Sequence, residues 1–195
     1  MLLDKLKYYK VVLASNSPRR KELLADLGIN FTVRVKKGID ESYPASMPVL
    51  QIAEYISHKK AQAYKQDMAP DELVITADTV VILGEEVLGK PVDAADACRM
   101  LCELSGKTHK VVTGVTITTA AITRSFSVTT DVEFATLNDE DIAYYVDRYQ
   151  PLDKAGAYGI QEWIGCMGVR HINGSFYNVM GLPLHRLYTE LDNLL

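Results

Sequence analysis

The sequence predicts an α/β protein with a mixed, twisted sheet, flanking helices and two lobes around a cleft. Short apolar segments such as residues 11–14 and 73–77 alternate with amphipathic helical segments in the first half of the chain, as in a sheet covered by helices. Two long segments rich in Val and Thr, residues 108–119 and 124–135, have the composition of antiparallel strands joined by a turn. This change from alternation to paired strands favours a sheet with strands in both directions.

Composition and charge narrow the class of protein. A chain of 195 residues fits one domain spanning residues 1–195, and 48% hydrophobic with 24% charged residues is ordinary for a globular protein. A formal net charge of −4 argues against nonspecific nucleic-acid binding. The longest apolar-rich run, residues 111–122, is broken by threonines and a glycine, so we expect no membrane span. Local basic clusters must then serve a small anionic partner.

The cysteines indicate a reducing compartment. Cys98, Cys102 and Cys166 form an odd set with no Cys or His partner at zinc-ligand spacing. Residues 1–10 lack the apolar core of a secretion signal. We therefore expect a cytoplasmic protein in which Cys98 and Cys102 are buried small side chains.

An anion-binding arrangement is predicted where the first apolar strand leads into a helix. Ser17 is a favoured N-cap, Pro18 is a favoured first helical residue, and the helix ends at Gly28. Free backbone N–H groups at this helix start point to the same place as Arg19 and Arg20, whose guanidinium groups fit phosphate oxygens. The alternative is a capped surface helix with two solvated arginines.

The next segments alternate between strands, loops and helices. A second strand at residues 31–36 precedes a polar loop at residues 37–47, and Pro48 opens a long helix with an apolar face. A buried strand at residues 73–77 ends at Asp78. The rest of this half comprises a continuation of that strand at residues 80–83, a short strand at residues 87–88, and a helix at residues 93–104 with Ala97, Met100, Leu101 and Leu104 inward.

Local signals also predict the second half. After the two long strands, Asn138 caps a helix whose first turn is acidic, as the helix dipole favours. The pair Asn173-Gly174 predicts a hairpin that joins strands at residues 166–172 and 175–179. A helix over residues 183–195 closes the chain.

Two residues have positions that suit phosphate chemistry. Asp78 follows an apolar strand, where open α/β sheets place functional groups, and a carboxylate there can hold a metal or accept a proton from water. Lys60 lies on the helix face of the inward Ile56, which is unusual for a lysine, whereas Lys59 is expected to be solvated. A turn aspartate is the structural alternative for Asp78.

Three further residues are candidates for the same site as Asp78 and Lys60. Lys90 follows Gly89 on a stiff turn, and the loop residue Glu41 can act as a second metal carboxylate. Residues 153–161 form a glycine-bearing loop in which Gln161 can read a base edge with both a donor and an acceptor. Taken alone, each also has a structural interpretation as an ordinary exposed residue.

Other catalytic motifs are excluded. The segment Gly106-Lys107-Thr108 lacks the P-loop glycine five residues before Gly106, where Leu101 stands, and no strand precedes it. The four histidines are scattered and specify neither a zinc site nor a catalytic base. We expect His109 to be structural.

Taken together, these residues resemble the Maf family of nucleoside triphosphate pyrophosphatases, and the match extends in order over nearly the whole chain. The matching motifs are Ser15-x-Ser17-Pro18-Arg19-Arg20, Asp40-Glu41, Lys60-Ala61, Ala77-Asp78-Thr79, Gly89-Lys90-Pro91, Ser105-Gly106-x-x-His109, Thr113-Gly114-Val115, Asp153-Lys154-Ala155-Gly156-Ala157-Tyr158 and Gly181-Leu182-Pro183.

The resemblance implies a fold, a reaction and a site. The fold is like that of inosine triphosphate pyrophosphatases, and a nucleoside triphosphate is hydrolysed between its α and β phosphates with a divalent cation, Mg²⁺ or Mn²⁺. Asp78 resembles the catalytic acidic residue that accepts a proton, and we place the metal on Glu41 and Asp78. The surrounding polar site matches at Ser15, Arg20, Glu41, Lys60 and Lys90. A homodimer in the cytoplasm is also implied.

Three positions bear on which base the nucleotide substrate carries. Subgroups that act on dTTP and UTP resemble this chain at Arg19, Thr79 and Gln161, whereas those that prefer 7-methyl-GTP carry Trp, Gln and Glu at the matching places. The resemblance therefore implies a pyrimidine triphosphate substrate. The family usually has Gly after Gln161, where this chain has Glu162 followed by Trp163.

Three alternatives stay open. A nucleotide-binding regulatory protein of cell division would keep the arginines but would not need Asp78, Lys60 and Lys90 together. A phosphatase could use the same charges and release orthophosphate. A pyrophosphatase of the 7-methyl-GTP type would share the reaction but not the base.

Overall fold

The computed structural model describes residues 1–194. The strands are β1 (Lys10–Leu13), β2 (Thr32–Val33), β3 (Glu72–Leu83), β4 (Glu86–Leu88), β5 (Thr108–Thr118), β6 (Thr123–Phe134) and β7 (Val169–Asn173). The α-helices are α1 (Leu2–Leu6), α2 (Pro18–Asp26), α3 (Ile52–Lys65), α4 (Ala94–Leu104), α5 (Asp139–Tyr149), α6 (Trp163–Gly168), α7 (Phe176–Met180) and α8 (Leu184–Leu194). Short 3₁₀ turns lie at Val49–Gln51 and Ala155–Ala157.

The strands of residues 1–194 form one seven-stranded mixed sheet. Its order is β2-β1-β3-β5-β6-β7, and β4 pairs with β3 outside that path. The pairs β1–β2 and β1–β3 are parallel, whereas β3–β4 and β6–β7 are antiparallel. The prediction of a mixed α/β sheet with flanking helices is therefore confirmed.

The chain divides into two compact units, each assembled from segments that are distant in sequence. Unit 1 contains residues 1–78, 113–128 and 181–194, and unit 2 contains residues 79–112 and 129–180. The strand β3 passes from one unit to the other at the peptide bond between Asp78 and Thr79. Within residues 1–194, no helix has the length and apolar character needed to cross a bilayer. The single-domain expectation stays a prediction.

Unit 1 packs its helices on the parallel part of the sheet. Many of its buried side chains come from β1, α2, α3 and the first half of β3, and Tyr64 of α3 packs with Val12 and Val74 of the parallel strands. Gly114 marks the closest approach, because a Cβ atom there would lie 2.3 Å from the backbone of Ala53 on α3. Only glycine fits at that position of β5.

Unit 2 is built around α4, α5 and the ends of three strands. Asp93 caps α4 by accepting a hydrogen bond from Asp96 N at 2.8 Å, and Asn138 caps α5 through Asp141 N at 2.7 Å. The predicted inward face of α4 is confirmed, since Ala97, Met100, Leu101 and Leu104 are all buried. Cys102, in contrast, is exposed and Cys98 is half-buried, so the expected burial of Cys102 is wrong.

The predicted C-terminal hairpin is wrong. The segment before Asn173 is a helix followed by the single strand β7, and the segment after Gly174 is α7. One reason is local: the hydroxyl of Ser175 accepts a hydrogen bond from Asn178 N at 3.2 Å, as an N-cap does. The buried Asn178 amide then donates to Val111 O and Thr130 Oγ1, both at 3.0 Å. These bonds turn the chain into a helix instead of a return strand.

Two other boundaries differ from the predictions. The strand predicted at residues 31–36 is reduced to the two residues of β2, and the chain from Pro48 begins as a 3₁₀ turn before α3. The predicted continuation of the Asp78 strand at residues 80–83 is confirmed, and it joins the first part without a break, as one strand from Glu72 to Leu83. Its continuation has a neighbour on each side, because β4 pairs with residues 81–83 and β5 follows β3 in the sheet order.

Candidate active site

Asp78 lies inside β3, beyond the point where the parallel strand β1 stops. The pairing of β1 with β3 joins Lys10–Leu13 to Glu72–Ile75, and Ala14 N makes one further bond to Ile75 O at 2.9 Å. Past this point β1 gives way to the loop that leads into α2. The carboxyl end of β1 and the side chain of Asp78 therefore belong to the same edge of the parallel sheet, where α/β proteins bind ligands.

The start of α2 is organised by two serines. Ser17 caps the helix through Arg20 N at 3.5 Å, and Pro18 occupies the first helical position, as predicted. Ser15 is buried, and its hydroxyl accepts a hydrogen bond from Ser17 N at 3.2 Å. The N–H groups of Arg20 and Lys21 are thus bonded to Ser17, and the capped helix start presents its dipole to this part of the site.

Arg20 ties three segments of unit 1 together. Its Nε donates to Gly181 O at 2.8 Å, and its Nη1 donates to Ala77 O at 3.0 Å and to Ser15 Oγ at 3.4 Å. Burial lowers the pKa of Arg20, and the neighbouring charge of Asp78 opposes that shift. This guanidinium fixes the helix start against β3, the strand that carries Asp78.

Lys60 joins the two predicted metal carboxylates. Its Nζ lies 2.8 Å from Asp78 Oδ1 and 3.2 Å from Glu41 Oε1. The side chains of Lys60 and Asp78 are each only 15% exposed, so this ion pair is partly shielded from water. The inward orientation that the four-residue spacing predicted for Lys60 is confirmed.

The loop that carries Glu41 is held by Lys59, which the sequence led us to expect in solvent. Lys59 Nζ lies 2.8 Å from Asp40 Oδ2 and 2.8 Å from Ser42 O. Asp40 also accepts hydrogen bonds from Ser42 N at 2.9 Å and from Ser42 Oγ at 2.8 Å. The Lys59 ammonium group, followed by the Ser42 donors, holds the pKa of Asp40 well below its usual range. Lys59 is therefore half-buried and paired with the loop, through contacts that are themselves exposed, and the sequence did not predict this pairing.

In unit 2, the turn before Lys90 contacts the glycine-bearing loop. Gly156 N donates to Gly89 O at 3.0 Å. Gly156 has φ +67°, and a Cβ there would lie 2.9 Å from Val81 Cγ2, so both backbone conformation and space require glycine. Lys90 itself is exposed.

The remaining predicted residues of unit 2 lie on β3 and on the glycine-bearing loop. Thr79 is half-buried in β3, next to Asp78 in sequence. Gln161 is exposed, and its Nε2 would lie 3.0 Å from a Cβ at Gly159. Unit 2 thus presents Gln161 on a loop whose backbone conformation is fixed by glycines.

A buried ion pair closes the same loop, and sequence reasoning missed it. Lys154 Nζ, on a side chain only 9% exposed, lies 3.2 Å from Glu162 Oε1 and 2.8 Å from Asp153 Oδ1. Tyr145 OH donates to Glu162 Oε2 and accepts a hydrogen bond from Gly159 N at 3.0 Å. Glu162, which stands where the family pattern has glycine, is therefore a structural part of the loop that presents Gln161.

His109 is buried in an aromatic cluster, in agreement with its expected structural role. Its Nε2 lies 2.7 Å from Tyr158 OH, and its ring makes edge contacts with Phe134 and Tyr158 at centroid distances of 5.0 and 5.4 Å. Burial lowers the pKa of His109 to about 4 and raises that of Tyr158. The imidazole is therefore neutral at physiological pH.

The donor set of unit 1 suits a hard divalent cation that is shared with a ligand. Glu41 and Asp78 supply carboxylate oxygens, the donors that Mg²⁺ and Mn²⁺ prefer. Among residues 1–194, no cluster of three or more His, Cys, Asp or Glu is placed to hold a metal by itself. Two carboxylates leave the other coordination positions to water and to phosphate oxygens, as is usual for Mg²⁺.

Charge distribution defines what this cluster can do. Arg20 and Lys60 face Asp78 and Glu41, and Arg19 is near enough to Arg20 to lower its pKa. Cations beside a rigid helix start can bind a multiply charged anion. Carboxylates within the same cluster can hold a metal or orient water. Such a combination is suited to phosphoryl transfer, which depends on positioning and charge neutralisation.

Comparison with known proteins identifies one family and several similar proteins that share a name. A family profile described as Maf-like protein matches residues 10–194. A protein of Phocaeicola vulgatus named dTTP/UTP pyrophosphatase is 58% identical over 193 residues, which cover 99% of this chain and 100% of that protein. The protein of that name from Bacteroides thetaiotaomicron is 56% identical over 193 residues, with the same coverage. A solved HAM1 protein from Coxiella burnetii has 15% sequence identity and a TM-score of 0.49, covering 95% of this chain and 99% of that one.

Proposed function

This chain belongs to the Maf family, and on that premise we propose that it hydrolyses nucleoside triphosphates to the monophosphate and pyrophosphate. The substrates are dTTP and UTP, as the names of relatives at 56–58% identity suggest. Modified pyrimidine triphosphates belong to the same substrate class. The enzyme is a hydrolase that acts on a phosphoric anhydride bond.

One observation carries the proposal: Lys60 Nζ is bonded to both Asp78 Oδ1 and Glu41 Oε1 in a site only partly open to water. A lysine that served only as a surface residue would not be placed between two carboxylates on an inward helix face. The arrangement supports a function in which one cation and two anions act on the same ligand.

Each residue of unit 1 has a role in this mechanism. Arg19 and Lys60 neutralise the phosphates, and the dipole at the start of α2 favours their negative charge. Arg20 holds that helix start in place through its bonds to Ala77 O and Gly181 O. The Ser15 hydroxyl supports it by accepting hydrogen bonds from Arg20 Nη1 and Ser17 N. Asp78, oriented by the bond of Oδ1 to Lys60, uses Oδ2 to orient water for attack on the α-phosphorus or to accept its proton.

Glu41 and Asp78 hold the Mg²⁺ or Mn²⁺ ion in this proposal. When bound, such an ion neutralises phosphate charge and makes a water molecule more acidic. Aspartate is a weak base near neutral pH. Asp78 would therefore serve chiefly to hold the ion and to orient water, with Lys60 as its neutralising partner.

Residues of unit 2 take the remaining roles. Lys90 is assigned to phosphate charge, and Thr79 and Gln161 to the pyrimidine base, which are the roles that the family resemblance implies for these positions. An amide that is both donor and acceptor can pair with the N3–H donor and the O4 acceptor of a uracil or thymine edge. We further propose that the enzyme acts as a homodimer in the cytoplasm, without nucleic-acid or membrane partners, and that residues 1–195 form one catalytic domain.

A panel of triphosphates tests the function. UTP, dTTP, CTP, GTP and 7-methyl-GTP are incubated with Mg²⁺ or Mn²⁺, and pyrophosphate and orthophosphate are measured separately. We expect pyrophosphate from UTP and dTTP. Asp78→Asn should lower turnover about 100-fold or more, whereas Asp67→Asn, the same change at an exposed position of unit 1, should leave it unchanged.

Each alternative has its own result in this panel. Orthophosphate as the first product would indicate a phosphatase, and turnover of 7-methyl-GTP alone would place the chain in the other subgroup. Binding of UTP without turnover would favour a regulatory nucleotide-binding protein. Near-normal turnover by Asp78→Asn would contradict the role given to Asp78.

A further inference from the structure

The loop that carries Glu41 is fixed on both sides of that residue. Asp40, directly before it, accepts two hydrogen bonds from Ser42, directly after it, at 2.9 and 2.8 Å. Lys59 on α3 then bonds to both neighbours, at 2.8 Å to Asp40 Oδ2 and 2.8 Å to Ser42 O. We call Asp40, Ser42 and Lys59 the loop brace. It leaves Glu41 as the one residue of this tripeptide directed to Lys60.

Two consecutive lysines of α3 therefore contact one loop for different purposes. Lys60 pairs with the Glu41 side chain itself, whereas Lys59 bonds to the residues that flank it. Neighbouring positions of an α-helix point about 100° apart, so both ammonium groups reach this tripeptide only because it lies alongside the helix. The brace thus fixes the loop to the same helix that supplies Lys60.

Stability alone is a poor explanation for the brace. The Asp40 side chain is 69% exposed, and pairs between exposed charges contribute little to folding. Glu41 is itself 55% exposed, with its ion-pair distance of 3.2 Å to Lys60 longer than the 2.8 Å of the Lys59 bonds. An exposed glutamate on a loose loop would sample many positions, and that freedom would be lost each time it bound a ligand.

We propose that Asp40 and Lys59 are positioning residues, which hold Glu41 in place to receive a divalent cation and the phosphates attached to it. This inference rests on the proposed function. Side chains that orient a metal ligand from behind affect metal affinity strongly even though they never touch the metal. Neither residue contacts substrate in this proposal, and neither is needed for the fold of the parallel sheet.

The test compares Lys59→Met and Asp40→Asn with a matched control. Lys65→Met is the control, because Lys65 lies on the same helix, is exposed, and contacts the hydroxyl of Thr123 at 3.2 Å. Lys59→Arg is the conservative variant, since a guanidinium can donate to Asp40 and to Ser42 O at once. UTP turnover is measured as a function of Mn²⁺ concentration.

We expect the Mn²⁺ concentration for half-maximal turnover to rise about 10-fold in Lys59→Met and Asp40→Asn. Turnover at saturating Mn²⁺ should stay within about threefold of the native enzyme, because the cation restores the position of Glu41 once bound. Lys59→Arg should lie near the native value, and Lys65→Met should equal it. A purely structural role would not produce rescue by metal.

A second measurement is independent of activity. A protease that cleaves after glutamate should cut the chain at Glu41 faster in Lys59→Met and Asp40→Asn than in Lys65→Met, as mass spectrometry of the fragments would show. Half-saturating Mn²⁺ equal to that of the control would overturn the inference, with or without faster cleavage. Absence of pyrophosphate release from every triphosphate in the native enzyme would instead overturn the proposed function, and the cleavage rates would then still test the brace.

Discussion

Acid should destabilise unit 2 through His109. The imidazole is 1% exposed and packs against Phe134 and Tyr158, so it is buried without charge. Burial lowers its pKa from the ordinary 6.5 to about 4 in the folded protein. Between these two values the unfolded chain binds a proton that the folded chain does not, so the free energy of unfolding falls as the pH falls from about 6.5 to 4.

The size of this effect follows from the shift. A difference between 6.5 and about 4 corresponds to about 3 kcal/mol at 1.36 kcal/mol per pKa unit. The loss is complete once the pH reaches the folded value and is absent above about pH 7. Other acids also titrate in this range, so the quantity to compare is the difference between the native protein and a variant without this imidazole.

The assay is urea unfolding of the native protein and His109→Phe at several pH values from 7 to 4. Fluorescence of Trp163 reports on unit 2, to which both residues belong. At pH 7 the variant should be less stable, because Tyr158 OH loses its partner. Toward pH 4 the stability of the native protein relative to the variant should fall by about 3 kcal/mol.

His171→Gln provides the control, because His171 is an exposed histidine on β7 in the same unit. It should leave the pH dependence unchanged. If the difference between the native protein and His109→Phe stays constant within about 0.5 kcal/mol from pH 7 to 4, the neutral buried imidazole is refuted.

Three further predictions concern the site and the packing. Lys60→Met should lower kcat/KM for UTP about 100-fold, since it leaves Asp78 without its cation; a loss below threefold would contradict the role of Lys60. Gly114→Ala should lower the melting temperature by several degrees, because its Cβ would lie 2.3 Å from the α3 backbone. Gly89→Ala is the control and should not lower it, since no atom lies within 4 Å of a Cβ there. Equal melting temperatures of the two variants would contradict the close packing at Gly114. Glu162→Gln should raise KM for UTP and dTTP about 10-fold with little change in kcat, because Gln161 loses its fixed loop. An unchanged KM would argue against that role.

The sequence predicted what short-range contacts decide. The caps at Ser17, Asp93 and Asn138 lie within three residues of the donors that they bind, so the starts of α2, α4 and α5 follow from local chemistry. The inward position of Lys60 followed from its spacing to Ile56 on one helix. Five of the predicted site residues, Ser15, Arg20, Glu41, Lys60 and Asp78, are in fact joined by contacts or close charges within unit 1.

Contacts between segments that are distant in sequence decided the features that the sequence did not predict. The partners of Lys59 are 17 and 19 residues away, so nothing in its own helix distinguishes it from a solvated lysine. The strand through Asp78 continues because sheet neighbours extend it, although Asp is a weak strand former. The hairpin failed because the amide of Asn178 bonds to Val111, 67 residues earlier.

The bond from Arg20 to Gly181 spans 161 residues of chain. Lys5 on α1 likewise reaches Asp192 at 2.9 Å on α8. On the ribosome, unit 2 has all its segments once residue 180 has been made, whereas unit 1 waits for residues 181–194, about one to three seconds of synthesis later. The N-terminal part of the nascent polypeptide is therefore the last to be completed, and a chain released early would leave the Arg20 guanidinium without a carbonyl that it binds in the finished protein.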